Sequence, residues 1–174
     1  PPVVGQLLLQ RGVGTPEAAR AFLNPALSQL FDPFLLTGMR AAVERVTLAR
    51  DRGEKALVFG DYDVDGVSAT ALLTRALERF GLSGVTAGMP DRLRDGYGIM
   101  PVHVERAHAG GVGLIITVDN GTSAFAAAQR ARDLGVGRVI PDHHSFDGEL
   151  PPADAVINPR READGHPGAA LCGA

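Results

Sequence analysis

From residue 55 onward, short apolar runs alternate with longer amphipathic segments. The runs KALVF, GVTAGM, VGLIITV, GRVI and DAVIN predict strands, and the segments between the first four predict helices over 67–80, 101–109 and 123–134. Strands that read as unbroken apolar runs are buried on both faces, and helical crossovers join parallel strands. The sequence therefore predicts an α/β fold with a doubly wound, mainly parallel sheet and helices on both faces.

The first 54 residues have helical patterns instead. Thr15 precedes a proline and predicts the start of a short helix, whereas Thr37 opens a longer helix that Gly53 ends. We expect an N-terminal helical segment, residues 1–54, that packs on a catalytic domain formed by residues 55–174.

Composition limits the class of protein. The 174 residues are 45% hydrophobic and 21% charged with a net charge of -3, which is ordinary for one globular domain. A mildly acidic chain lacks the broad basic surface that holds nucleic acid, so any polyanion must bind locally. Cys172 has no other cysteine to pair with, and the run at 114–118 is far shorter than a membrane span. We expect a reducing, cytoplasmic location and no membrane association.

Acidic residues and histidines follow three of the predicted strands directly. In chain order they are Asp61, Asp63 and Asp65, then Asp119, then Asp142, His143 and His144. A lone aspartate in such a loop is most often a helix N-cap. Because ligands bind outside the carboxyl ends of parallel strands, three such groups at one edge favour a common site.

Carboxylates and imidazoles without a thiolate favour Mn²⁺ or Mg²⁺ over Zn²⁺. The number of ligands is sufficient for two ions, which together activate a water molecule and neutralise charge on a phosphoryl group. Gly66 and Gly121 stand where the chain turns from strand to helix, and their amides are placed to face a phosphate. This pattern predicts phosphoester hydrolysis.

A calcium-binding helix-loop-helix is the rival interpretation of the first motif. Residues 61–66 copy the first half of such a loop, whose twelfth position requires a bidentate glutamate. That position is Leu72, and the preceding segment is a predicted strand where the calcium motif requires a helix. Both features disfavour calcium.

Five segments together resemble the DHH phosphoesterase superfamily and, within it, the RecJ-type single-strand-specific 5′ exonucleases. They are QRGVGTPEAARAFLNP, GDYDVDGVSAT, MPDRLRDGYGI, TVDNGTS and DHHSFDGELPPADAVINP. The resemblance implies metal-dependent 5′-to-3′ degradation of single-stranded DNA in recombination and repair. It also implies single-strand-binding protein and repair helicases as partners.

The resemblance further implies roles for individual residues. Asp63 and Asp65 would be metal ligands, and Asp119 would bridge two ions. His143 would complete the coordination shell of one ion. Asp61 is an equally good candidate for a metal ligand and for a loop or capping residue.

Asp142 would orient an imidazole, and His144 would contact the scissile phosphate or serve as a further ligand. The candidates for substrate contacts are Arg92, Tyr97, Asn120 and Gly121. Tyr97 stands between glycines, so simple packing of its loop is an equally good interpretation. Asn158-Pro159 matches loop architecture near the site, and His103, His108 and His166 lie off the motifs, where surface positions are expected.

The family has a fourth motif with another aspartate ligand after the segment that resembles LCGA, followed by a second domain; neither is in this chain. We therefore expect a fragment that binds at least one ion weakly and has little or no exonuclease activity alone. The alternatives are a DHH-family phosphodiesterase for oligonucleotides, cyclic dinucleotides or pyrophosphate, and a module that binds nucleic acid without cutting it.

Overall fold

The computed structural model describes residues 1–161 and 171–174, which form two compact units, Pro1–Asp32 and Pro33–Ala174. In the first unit, helices α1 (Pro2–Gln10) and α2 (Pro16–Leu23) precede a short 3-10 turn. The side chain of Thr15 accepts a hydrogen bond from the Ala18 amide at 3.1 Å, so it caps α2 as its position before a proline predicts.

The second unit is built on a five-stranded parallel sheet with strand order β2-β1-β3-β4-β5. The strands are β1 (Lys55–Phe59), β2 (Val85–Gly88), β3 (Val112–Thr117), β4 (Gly137–Pro141) and β5 (Ala155–Ile157). The helices are α3 (Met39–Asp51), α4 (Val64–Phe80), α5 (Pro101–Ala109) and α6 (Phe125–Asp133). The doubly wound parallel sheet predicted from the sequence is confirmed.

Two apolar cores lie on opposite faces of this sheet. Alternate residues of a strand point to opposite faces, so Val58 packs with α3 and α4 whereas Phe59 packs with α5 and α6. Leu114 and Ile115 divide between the two cores in the same way. Among the described residues, no helix is both long and apolar enough to cross a membrane.

Helix α3 belongs to the second unit. It contacts β3, β4 and β5, and it buries Ala42 and Ala49 in the core. The compact units therefore divide after Asp32, and the expected division into residues 1–54 and 55–174 stays a prediction. The helix begins at Met39 after Gly38, whose φ of 90° requires glycine, and not at Thr37.

Arg138 on β4 is a buried charge that has no ion-pair partner among the described residues. Only 2% of the residue is exposed, Nη1 donates to the Ala124 carbonyl at 3.2 Å, and Nε and Nη2 have no partner among the described residues. Burial lowers the pKa of the guanidinium to about 10.

We expect Arg138→Met to increase the free energy of unfolding by about 1–3 kcal/mol, because methionine fills similar space without a desolvated charge. Urea denaturation at neutral pH measures the change. The matched control is Arg132→Met on the exposed surface of α6, which should change stability by no more than about 0.5 kcal/mol. A loss of stability in Arg138→Met would contradict this account of the buried charge.

Candidate metal centre

The loops that follow β1, β3 and β4 meet at one edge of the sheet, because these three strands are neighbours and parallel. Two groups of side chains have ligand atoms within 4.8 Å of one another: Asp61, Asp63 and Asp119 form the first, and Asp119, His143 and His144 form the second. Asp119 is common to both groups. The geometry can therefore hold two cations that share one carboxylate.

Asp63 caps α4. Its Oδ1 accepts hydrogen bonds from the amides of Asp65 and Gly66, at 2.9 and 3.0 Å, so the helix begins at Val64, three residues earlier than predicted. The Gly66 hydrogen bond is the largest cause that lowers the pKa of Asp63. A Cβ at Gly66 would lie 2.6 Å from the backbone of Asp61, so only glycine lets the first helical turn approach this closely.

Asp119 is buried and has an unusual backbone conformation. It is 1% exposed and has a φ of 60°, the only positive value of a non-glycine residue in the described part of the chain. Its Oδ1 lies 2.8 Å from Nε2 of His143. Burial and the neighbouring Asp65 carboxylate raise the pKa of Asp119, whereas the His143 hydrogen bond opposes the rise. A bound cation would relieve this repulsion.

Asp142 orients the loop that carries both histidines. Its Oδ2 accepts from the Thr122 amide at 2.9 Å, and its Oδ1 accepts from the His143 amide at 2.7 Å. Oδ1 also lies 2.7 Å from Nδ1 of His144. Burial alone would raise the pKa of Asp142, but hydrogen bonds from Thr122 foremost and from His144 lower it. The Asp142 carboxylate thus orients the His144 ring through its contact with Nδ1.

Tyr97 and Arg92 lie on the same loop but have different neighbours. The Tyr97 hydroxyl lies 3.3 Å from the Asp119 carbonyl oxygen and 3.3 Å from each ring nitrogen of His144, so the structure places it at the site. Burial and the nearby Asp142 raise the pKa of this hydroxyl, which therefore stays protonated. The guanidinium of Arg92 stacks on the Tyr62 ring, with Cζ 4.9 Å from the ring centre.

His103 holds this loop in place, and the prediction of a surface position for it was wrong. The residue is 7% exposed, and its Nδ1 accepts from the backbone amide that precedes α5. Its Nε2 donates to Oδ2 of Asp95 at 3.1 Å, which anchors the loop 91–98 on α5. His108 is exposed as expected, and His166 lies outside the described residues.

Asn120 and Gly121 form the turn after β3. Asn120 is fully buried, and its amide nitrogen donates to the carbonyls of Phe59 and Val118 at 3.1 and 2.9 Å, which joins the ends of β1 and β3. Gly121 has a φ of 115°, and a Cβ there would lie 2.6 Å from Oγ1 of Thr117. These contacts are internal to the protein. A contact of either residue with substrate stays a prediction.

Asn158 contributes more to the site than its sequence position indicated. Its side-chain nitrogen donates to the His144 carbonyl at 2.9 Å and to Oγ1 of Thr122 at 3.1 Å, and its Oδ1 accepts from the Arg160 amide at 2.9 Å. This buried amide therefore fixes the histidine loop against the turn after β3. The asparagine-proline pair was the sequence signal for a loop here, but the partners depend on the tertiary fold.

Asp65 lies beside the two groups of candidate ligands. Its Oδ2 is 3.5 Å from Nε2 of His143, and it accepts a hydrogen bond from the Gly173 amide at 2.8 Å. Its role as a metal ligand stays a prediction.

Known proteins match this chain both as a family model and as individual sequences. The family model described as the DHH family, N-terminal domain, matches residues 55–174. The single-stranded-DNA-specific exonuclease RecJ of Bacillus subtilis is 37% identical over 172 residues, which are 99% of this chain and 22% of that protein. The RecJ exonuclease of Escherichia coli is 37% identical over 173 residues, covering 99% of this chain and 29% of the relative. The chain thus spans less than a third of the length of these relatives.

Two solved structures are similar in fold to this chain. A crystal structure of exonuclease RecJ bound to manganese is 34% identical, with a TM-score of 0.68 over 74% of this chain and 33% of that one. RecJ from Thermus thermophilus in complex with Mn²⁺ is 29% identical, with a TM-score of 0.66 over 94% of this chain and 24% of that one.

Proposed function

Because the chain belongs to the DHH family, we propose that it forms the metal-binding part of an exonuclease that degrades single-stranded DNA in the 5′-to-3′ direction by hydrolysing phosphodiester bonds. The observation that carries this proposal is the position of Asp119, which is shared by two groups of candidate ligands at the carboxyl edge of the sheet. The sequence similarity to single-stranded-DNA-specific exonucleases over 99% of the chain supports single-stranded DNA as the substrate.

The donor set fits Mn²⁺ or Mg²⁺. It consists of carboxylates and imidazoles without a thiolate, which are the ligands that such ions accept. We infer that Asp61, Asp63 and Asp119 hold one ion and that Asp119 holds a second with His143, assisted by His144 or Asp65. When bound, such ions supply Lewis-acid chemistry that generates a nucleophilic water and neutralises charge on the phosphoryl group.

The protein's own groups prepare the site for a phosphodiester. Burial lowers the pKa of His144, but the hydrogen bond to Asp142 and the surrounding carboxylates together raise it, so the imidazole more readily holds a proton beside an anionic phosphate. Tyr97 is half-exposed next to that imidazole and can place its ring against a sugar or a base. Asp142 contributes by fixing the orientation of the His144 ring.

The remaining parts of the proposal concern partners and location. Single-stranded DNA is the proposed substrate, and single-strand-binding protein and repair helicases are the proposed partners in recombination and repair. The sequence has one cysteine, which is typical of a reducing compartment, and a DNA substrate favours the cytoplasm.

The test compares two proteins with added Mn²⁺: the 174-residue chain, and a chimera in which this chain replaces the matching part of the Escherichia coli relative. The substrates are single strands labelled at either end, duplex DNA and dinucleotides. We expect the chimera to release nucleotides from the 5′ ends of single strands, and we expect the chain alone to be about 100-fold or more slower.

A chimera with Asp119→Ala is the matched control and should be inactive. Hydrolysis of dinucleotides with no attack on long single strands would favour the small-substrate alternative. A folded chimera that binds DNA and Mn²⁺ without hydrolysis would favour the module that does not cut. Equal exonuclease rates of the chain and the chimera would contradict the expectation of a weakly active fragment.

A further inference from the structure

The segment 171–174 lies against the candidate metal centre. The Gly173 amide donates to Oδ2 of Asp65 at 2.8 Å, across 108 positions of the chain. The neighbouring Cys172 is exposed, and its thiol contacts the Ala174 carbonyl oxygen at 3.3 Å. Gly173 thus contacts a proposed ligand through its backbone amide.

Gly173 also lies too close to Asp119 for any side chain. A Cβ at this position would lie 2.7 Å from Cβ of Asp119 and 2.9 Å from both Cγ and Oδ1. The backbone of Gly173 does not have a positive φ, so the requirement for glycine here is one of space and not of conformation. Distances below 3.0 Å cannot persist, so one of the two residues would have to move.

Asp119 has little freedom to move away. It is buried, it has a constrained backbone, and its Oδ1 lies 2.8 Å from His143. A displaced Asp119 would break the His143 contact, and a displaced segment 171–174 would remove the hydrogen bond to Asp65. Either response would disturb a proposed ligand.

We propose that Gly173 is a positioning residue of the metal centre: its amide orients the Asp65 carboxylate, and its missing side chain lets the backbone hold Asp119 in place. This inference rests on the proposed function, since it concerns the same site. It assigns to Gly173 an indirect role in metal binding, through Asp65 and Asp119, although the residue has no side chain that could act as a ligand.

The experiment is calorimetric titration of Mn²⁺ into the unsubstituted chain, Gly173→Ala and Cys172→Ala. We expect Gly173→Ala to weaken binding by about 10–100-fold, the usual effect of losing a partner that orients a ligand. Cys172→Ala changes the adjacent exposed side chain. The Mn²⁺ affinity of this variant should stay within about twofold of that of the unsubstituted chain. Unchanged affinity in Gly173→Ala would overturn the proposal.

Thermal unfolding without metal provides a second test that does not depend on Mn²⁺ binding. Gly173→Ala should lower the midpoint by about 2–4 °C or more in the unsubstituted chain, but not in an Asp119→Gly background, where the clash is absent. An equal shift in both backgrounds would overturn the proposal. If the unsubstituted chain binds no Mn²⁺, the proposed metal function fails for this chain. The unfolding comparison still tests whether Gly173 and Asp119 are packed against each other.

Discussion

Asp119→Asn is expected to weaken Mn²⁺ binding by more than the roughly 10–100-fold that the loss of an outer partner causes, because both groups of ligands depend on this carboxylate. Asparagine is close in shape to aspartate and tolerates the φ of 60° at this position. The substitution therefore removes charge with little change in geometry. Calorimetric titration of the purified variant measures the loss, and Asp147→Asn, an exposed acid in the histidine loop, is the matched control.

The same variant should be more stable than the unsubstituted chain when metal is absent. The pKa of Asp119 is raised in the folded protein. Its charged form therefore opposes folding at every pH above the pKa that the group has in the unfolded chain. Removal of that charge relieves the penalty at neutral pH. Weaker metal binding together with a gain in stability would exclude unfolding as the cause, and retention of tight Mn²⁺ binding would contradict the shared role of Asp119.

Asp142→Ala is expected to lower the free energy of unfolding by about 3 kcal/mol or more, since it leaves several donors near the site without an acceptor. The buried Thr122 amide and the His143 amide both lose their hydrogen bonds, and His144 loses the group that orients its ring. Urea denaturation measures the change. Asp142→Asn keeps one acceptor oxygen and should cost less than Asp142→Ala.

Acid titration provides an independent check on Asp142. The pKa of Asp142 is lowered in the folded state. Its contribution to stability is therefore fully present above about pH 4, which is the ordinary pKa of an aspartate. The contribution is lost as the pH falls from there through the folded-state pKa. The stability of the unsubstituted chain should therefore fall more steeply in this acidic range than that of Asp142→Asn. Parallel curves would contradict the assigned hydrogen bonds.

The parts of the fold that could be predicted are those set by local pattern. The strand Lys55–Phe59 and the helix Pro101–Ala109 have the bounds that the apolar runs and the helix-starting proline predict. Parallel strands bring their carboxyl ends to one edge, so the meeting of Asp63, Asp119 and His143 follows from topology once the strands are known.

What the sequence did not show depends on contacts between distant residues. The early start of α4 results from the capping of two amides by Asp63, although the apolar pattern begins later. His103 looked like a surface residue because its partner, Asp95, lies on a loop without periodic pattern. The approach of Gly173 to Asp119 spans 54 positions, and no local signal marks it.

Anomalous diffraction from crystals of this chain soaked in Mn²⁺ would show whether the strand ends hold two cations that share Asp119. This arrangement predicts two peaks on either side of the Asp119 carboxylate, one beside Asp61 and Asp63 and the other beside His143. A well-ordered site without an anomalous peak, or manganese bound only elsewhere on the molecule, would contradict it.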